Sequence, residues 1–561
     1  MGVLQISRLD WLVLVIYFVA VAAVGILASR RIRTTGNYFL GDRRFNKWIM
    51  IGQTFGTGTH AEMPVSLAGA VYTTGISGIW FQWKNLFATP FYWLIAPLFR
   101  RFRRTTTAEV MEDRYGSWMG TLYTLFALVY FTINMGTMLK GAAKVIDQAG
   151  GGTVPVNTIV IVMTAVFIGY SFTGGLVAAA WTDFLQGFLI LALSFMLIPL
   201  GWGLVGGIHG MKQVLGPEKF SLATPHGITP WFIAVLTLNG LVGIIAQPHL
   251  IAAVGTGKDE DTCRMGQYYG NLVKRFCTVG WALVGIMTAA LLARGLFGSG
   301  SLRDPEDAFG FACRHLLFPG GVGLLIASIL ATNMAGCSAF MVDSGALFTD
   351  GFYRRHLVRD RDDAHYLMVG RISGVAVVLA SVVYSVFFIQ RVLYSFLLTE
   401  TMATFVGISI YAGLMWHRAN RWGALAGMIT AASVNFAMYF ARNQRLDAWD
   451  PLVFSVSLAS GIAATIMVSL LTQPEPADRL QSFFARVNTP SIGRENQLPQ
   501  QADTAAAAQA GRQLLVTNLL RVRSAAVGYG WRAYRIDLKG FAVGWVIVIA
   551  LVFAAWLLFH Y

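Results

Sequence analysis

What most constrains this chain is the recurrence, along nearly its whole length, of apolar runs of about 20 residues with few or no charges. The clearest, Trp11 to Ser29, contains no charged residue. At about 1.5 Å rise per residue, such a run folded as a helix crosses a hydrocarbon layer roughly 30 Å thick with its backbone internally hydrogen-bonded. Of the 561 residues, 55% are hydrophobic and 13% charged, which leaves more apolar surface than a water-soluble fold could bury. The expected fold class is an all-α integral membrane protein. About fourteen transmembrane helices are predicted, at 11–29, 47–75, 78–99, 118–147, 155–171, 176–203, 229–254, 266–297, 319–350, 365–389, 393–416, 422–441, 450–472 and 539–560.

The formal net charge of +15 does not point to nucleic acid, because the basic residues sit in short loops rather than in a stripe on a soluble domain. Arg30, Arg31, Arg33, Arg43, Arg44 and Lys47 follow the first span, and Arg100, Arg101, Arg103 and Arg104 the third. Arg354, Arg355, Arg359, Arg361, Arg418 and Arg421 fall in later loops on the same side. The positive-inside rule makes these loops cytoplasmic and the N-terminus external, in a multi-pass protein expected in a bacterial inner membrane. The first span is read as retained, since its basic cluster follows the apolar run and no small-residue cleavage site comes after it. Cys263, Cys277, Cys313 and Cys337 lack CxxC spacing, so neither a disulfide framework nor a zinc site is expected.

Two spans differ from the rest. The second contains Gly52, Gly56, Gly58, His60 and Glu62, and the seventh contains Asn239, Gly240, Gly243, Gln247, Pro248 and His249. Both read as broken helices. They lie five spans apart, and an odd separation makes equivalent helices run in opposite directions, which is a 5+5 inverted repeat with its solute site where the broken helices meet near the midplane. The simpler alternative is that these glycines only let helices pack closely. The regions expected are 1–46, an N-terminal span and loop; 47–416, a transport core of two repeats, 47–203 and 229–416; 417–472, two accessory spans; 473–538, a cytoplasmic linker; and 539–561, a last span. The linker, with Pro474, Pro476, Pro490, Pro499 and the run Ala505 to Ala508, reads as a solvated connector with one or two surface-lying amphipathic helices, docking being the other reading.

Four segments, in order, carry a resemblance. They are Tyr170-Ser-Phe-Thr-Gly-Gly-Leu176 continuing to Trp181-Thr-Asp-Phe-Leu-Gln186; Thr107-Ala-Glu-Val-Met-Glu-Asp-Arg-Tyr-Gly116; Ala339 to Tyr353, ending Phe348-Thr-Asp-Gly-Phe-Tyr353; and Trp416-His-Arg-Ala-Asn-Arg-Trp-Gly-Ala-Leu-Ala-Gly427. Over about residues 5–472 the chain resembles the sodium:solute symporter family, which has the LeuT-type inverted-repeat fold. In that family a sodium ion lies between carbonyls of the second span and a carbonyl plus two hydroxyls of the ninth. The resemblance puts the carbonyls at Gly56 and Thr59, with Thr332 on span 9, and puts the two hydroxyl positions on Ala335 and Gly336. Neither has a side-chain oxygen. A hard cation needs several oxygen ligands, so the site is expected to be weakened, with Ser338 as the one nearby compensation. Asp183 matches the family's membrane carboxylate near the ion's inward path, a helix cap being its other reading. Na+ or H+ remains open as the coupling ion, and no other metal and no organic cofactor is expected.

For solute contacts the resemblance implies Met63, Phe81, Gln82, Asn85, Asn134 and Gln247. Sugar-transporting relatives have Gln at the Met63 position and Glu at the Gln82 position, which argues against a sugar here. Gln247-Pro248-His249-Leu250 is similar to the corresponding segment of proline, acetate and pantothenate relatives, though the arginine that follows in them is Ala253. His60 and Glu62 would diverge on a regular helix and converge on an unwound one, and His60 suits proton linkage as well as a structural role. Asp343 is a second carboxylate at membrane depth that could take a proton. Lys84 and Lys140 are cations that could pair a solute carboxylate, or Glu62 or Glu400.

The expected function is secondary active transport, cation:solute symport of a small polar solute, a carboxylate or amino acid, with sodium dependence weakened or lost. Two alternatives stand beside it: a proton-coupled or uncoupled transporter on the same fold, and a membrane solute sensor, against which counts the lack of a catalytic segment after residue 560. An enzyme is not expected, since Gly56-Thr57-Gly58 lies inside a span rather than after a strand and no nucleophile triad or metal cluster appears.

Overall fold

A computed structural model describes residues 6–29, 45–165, 167–168, 187–189, 191–192, 194–298, 300–444, 449–491, 512–519 and 531–560. The signature segment 170–186, with Asp183, and the alanine run 505–508 lie outside the described residues. Within them the regular structure is helical. In chain order the helices used below are α1 (Arg8–Ser29), α2 (Lys47–Thr57), α3 (Glu62–Thr74), α4 (Trp80–Arg101), α5 (Thr107–Tyr115), α6 (Ser117–Ala149), α7 (Val156–Ala165), α8 (Leu197–Val205), α9 (Pro230–Gly243), α10 (Leu250–Val254), α11 (Glu260–Ala293), α12 (Gly321–Phe348), α13 (Asp363–Phe387), α14 (Val392–Met415), α15 (Arg421–Ala441), α16 (Pro451–Leu471), α17 (Ala477–Asn488) and α18 (Arg535–His560).

Eight helices among the described residues are long and apolar enough to cross a membrane. The other six of about fourteen expected spans are the two interrupted ones, α2/α3 and α9/α10, spans 5 and 6, which lie partly outside the described residues, and α1 and α4, 22 residues each, which are not among the eight. Polar residues set the ends. Asn46 accepts hydrogen bonds from Trp48 N and Ile49 N, Asn420 caps α15 and Asp450 caps α16, which meets the unpaired amides of each first turn.

Burial sorts the spans into a core and a shell. Every residue in the apolar window of α12 is buried, whereas α13 and α15 are mostly lipid-facing. α1 joins the core helix α12 through Asp10, which is buried and whose Oδ1 accepts from Gly320 N at 2.8 Å and Gly323 N at 2.7 Å, so one helix caps another. Hydrogen bonds to a charged group contribute about 1.5–3 kcal/mol each, so Asp10→Ala is expected to lower the unfolding free energy by about 2 kcal/mol or more while Asp10→Asn, which keeps one acceptor, lowers it less. Thermal melting in detergent of the two variants checks this ordering.

The segment after α16 is docked. On α17 Phe483, Phe484 and Val487 are buried, and the Phe484 ring stacks on His417 at 3.7 Å between centroids. Arg101, fully buried at the end of α4, grips Glu260 of α11 through two hydrogen bonds of 2.9 and 3.0 Å and donates to the carbonyls of Val487 and Arg512. Glu260 in turn accepts from Ser491 N at 2.7 Å. Asp537, at the start of α18, bonds Arg264 and Leu515 N. The region expected as a solvated connector is therefore, over 477–491 and 512–519, a strap lying across the basic face of the bundle, held by buried charge pairs that its polar composition did not reveal.

Candidate functional site

The two helix breaks frame the site, and local sequence explains both. α2 ends at Gly58, whose N–H still reaches the Thr54 carbonyl at 3.2 Å; Thr59 and His60 are non-helical, and α3 restarts at Glu62 with Pro64 in its first turn, where a missing N–H costs nothing. α9 tightens into a 3₁₀ turn at Ile244–Ala246, after which Gln247 is extended, as a residue preceding proline prefers, and α10 starts at Leu250. Carbonyls freed by the breaks find side-chain donors. Tyr123 donates to the Ala246 carbonyl at 2.8 Å, and Lys274 Nζ donates to the Gly58 carbonyl.

Between the breaks lies a cavity in which the space open to the centre of a water-sized body is about 80 Å³, several times the roughly 10–15 Å³ needed by one water. That is room for a small solute and too little for a large one. The breaks contribute Thr54, Gly58, His60 and Met63 on one side and Ile244, Gln247, His249, Leu250 and Ala253 on the other. α4 adds Asn85 and Tyr92, α6 Tyr130 and Asn134, α12 Phe340, and α14 Phe396 and Glu400. α11 adds Gln267, Asn271, Lys274 and Arg275.

The lining is polar and incompletely satisfied. Thr54 Oγ1, His249 Nδ1, Gln267 Oε1 and Arg275 Nε are buried without a hydrogen-bond partner, the signature of groups that await a ligand or water. Arg275 is 2% exposed; its Nη1 donates to the backbone and side-chain oxygens of Gln82, while its Nε is buried without a partner. Lys84 pairs with Glu400, and His60 Nδ1 lies 3.0 Å from Glu62 Oε1. Around the cavity lie the basic side chains Lys84, Lys274 and Arg275 and the acidic side chains Glu62 and Glu400.

The profile of the sodium:solute symporter family matches residues 38–431. The chain belongs to that family. It is 25% identical over 437 residues to the osmoregulated proline transporter of Bacillus subtilis (strain 168), covering 74% of this chain and 86% of that one. It is 27% identical over 461 residues to sodium/proline symporter 2 of Staphylococcus saprophyticus, covering 76% and 84%. Among solved structures, a substrate-bound, outward-open Na+-coupled sialic acid symporter superposes with a TM-score of 0.71 at 16% identity over 83% of this chain and 98% of that chain. The nucleobase-cation-symport-1 family transporter Mhp1, closed with bromovinylhydantoin bound, superposes with a TM-score of 0.51 at 13% identity over 80% and 98%. The LeuT-type inverted-repeat fold expected from the broken helices is thus the fold of this symporter family member, a multi-pass transport protein and not an enzyme.

The family member brings His60, Met63, Asn85, Asn134 and Gln247 together on one cavity, with Glu62 held behind His60. Three expected contacts do not line this cavity. Phe81 packs edge-on against Phe232, Gln82 Oε1 accepts from Arg275 while its Nε2 is buried without a partner, and Lys140 bonds Asn157. Their spans were identified, but a helix's rotation about its axis is set by packing partners that a single sequence does not name. Lys84 is explained by Glu400, one of the two partners weighed for it. Asp343 is buried on α12 outside the cavity lining. Lining residues that sequence reasoning does not single out include Thr54, Tyr92, Tyr130 and four on α11, where Gln267, Asn271 and Lys274, with Arg275 beside it, recur at helical spacing as one polar stripe in an apolar span.

At the positions that the resemblance gives to a sodium ion, the Gly56 carbonyl accepts from Thr59 N at 3.2 Å and Thr332 is buried on α12. Thr59 and Ser338 are buried nearby in sequence to these positions, Ala335 offers no oxygen, and a Cβ on Gly336 would lie 2.6 Å from His60 Cδ2 and 2.3 Å from Met138 Cε. A side chain at 336 would therefore require Met138 and His60 to shift.

Proposed function

We propose that this transporter carries a small solute bearing a carboxylate, with an amino acid such as proline the first candidate, by alternating access, and that its dependence on sodium is weaker than is usual in the family. The observation that carries the reading is the buried, unpartnered Nε of Arg275, on a residue that lines the cavity together with Lys274 and a single carboxylate, Glu400. An unpaired arginine at membrane depth is costly, and a carboxylate on the ligand pairs it and matches its fork geometry. The proline-transporting relatives agree with a small solute that bears a carboxylate. We read the N-terminus as external to a bacterial inner membrane, because the positive-inside rule makes the Arg100–Arg104 loop, to which the strap is bonded, cytoplasmic.

Reconstituted proteoliposomes test the reading. Radiolabelled proline is expected to accumulate and to be displaced by other small amino acids but not by glucose, with uptake persisting when choline replaces sodium. Uptake of glucose without uptake of any carboxylate, or uptake that sodium alone switches on, contradicts it.

A further inference from the structure

One face of α11 carries Gly266, Gly270 and Lys274, four residues apart, against Met50, Thr54 and Gly58 of the broken second span, themselves four apart. A Cβ on Gly266 would lie 2.7 Å from Met50 Cβ, and one on Gly270 would lie 2.8 Å from Thr54 Cβ and 3.0 Å from the Ile51 carbonyl oxygen. The two glycines therefore let α2 and α11 run parallel in contact, as small residues do between membrane helices. The next step along the same seam places a lysine where α2 stops being a helix. Lys274 is 7% exposed and its ammonium donates to the Gly58 carbonyl.

Freed carbonyls at the C-terminal end of a half-helix are the groups that take a coupling cation in transporters of broken-helix design, and the helix dipole favours positive charge there. In this chain a side chain already occupies such a carbonyl. We infer that the Lys274 ammonium is a built-in cation of the second-span break, standing in for a sodium ion, so that the break is charge-satisfied in sodium's absence.

Two further observations agree. A sodium ion on the same carbonyl would stand within about 5 Å of the ammonium, and like charges so close in a poorly solvated site weaken binding by about a hundred-fold or more. Across the break, Ala335 and Gly336 offer no side-chain oxygens and His60 fills the space beside Gly336.

The inference refines the weakened sodium dependence proposed above, and its test uses no solute, so its failure is distinct from a failure to bind a carboxylate. The purified full-length chain is melted in sodium chloride and in choline chloride at equal ionic strength. The wild-type protein is expected to melt at the same temperature in both. Lys274→Ala is expected to melt lower and to be raised by methylammonium chloride, a small cation able to refill the space, whereas Lys274→Arg stays indifferent to sodium. A saturable, sodium-specific rise in the wild-type melting temperature overturns the inference, as does a folded Lys274→Ala protein that responds to neither cation. If Lys274→Ala does not fold, the wild-type comparison decides alone.

Discussion

Arg275→Ala is expected to weaken solute binding roughly thirty-fold or more, about 2–5 kcal/mol, the range for truncating one member of a buried charge pair. The size follows from burial: Arg275 is 2% exposed, lines the cavity and has an unpartnered Nε. Because Arg275 also holds Gln82, part of the loss is architectural. Arg275→Lys separates the two contributions. It keeps the charge and loses the planar fork, so it is expected to retain most of the melting temperature and only part of the affinity. Equilibrium binding and thermal melting, measured on the same preparations, read the two effects independently. Equal affinity in Arg275→Lys and Arg275→Ala would mean that charge at this position does not matter.

Glu260→Ala has the largest expected effect on stability. It leaves Arg101 buried with neither of its carboxylate bonds, and removing one partner of a buried pair costs about 3–5 kcal/mol. It also frees Ser491 N, so the loss is concentrated where the strap meets the bundle. The expected result is a lower melting temperature together with new proteolytic cleavage within 473–491, while exposed pairs such as Arg512 with Asp261 are near-neutral when broken. Limited proteolysis of wild type and Glu260→Ala checks the placement of the damage as well as its size. Substituting both Arg101 and Glu260 with apolar residues should recover much of the stability, since no unpaired charge remains.

What was legible in the sequence was mostly what a membrane imposes. A helix must be about 20 apolar residues long to span, so α6, α11, α12 and α14 could be read from composition alone. The breaks were legible because Gly56, Gly58 and the Gln247-Pro248 pair break local helical preference wherever they stand. His60 and Glu62 were expected to converge only if the segment unwound, and it does, to 3.0 Å. Rotation about each helix axis was not legible. Lys140 looked like a cavity cation by its proximity to Asn134, yet six residues advance a helix by well over a turn, and it faces Asn157 instead. Lys274 was passed over for the opposite reason. A lysine in an apolar run reads as a flaw in the span until the glycines one and two turns before it are seen to press α11 against α2. The strap was obscured by its composition, since its proline-rich, charged sequence reads as solvated while its anchors, Phe483 and Phe484, are only two residues.

The central claim is that the cavity between the two breaks binds a small solute through its carboxylate. The most direct measurement is competition against bound radiolabelled proline by two compounds of the same ring, proline itself and prolinamide, with wild-type and Arg275→Ala protein. The account predicts that proline competes and prolinamide does not, and that Arg275→Ala loses this discrimination along with its affinity. Equal competition by prolinamide at the wild-type site would contradict it.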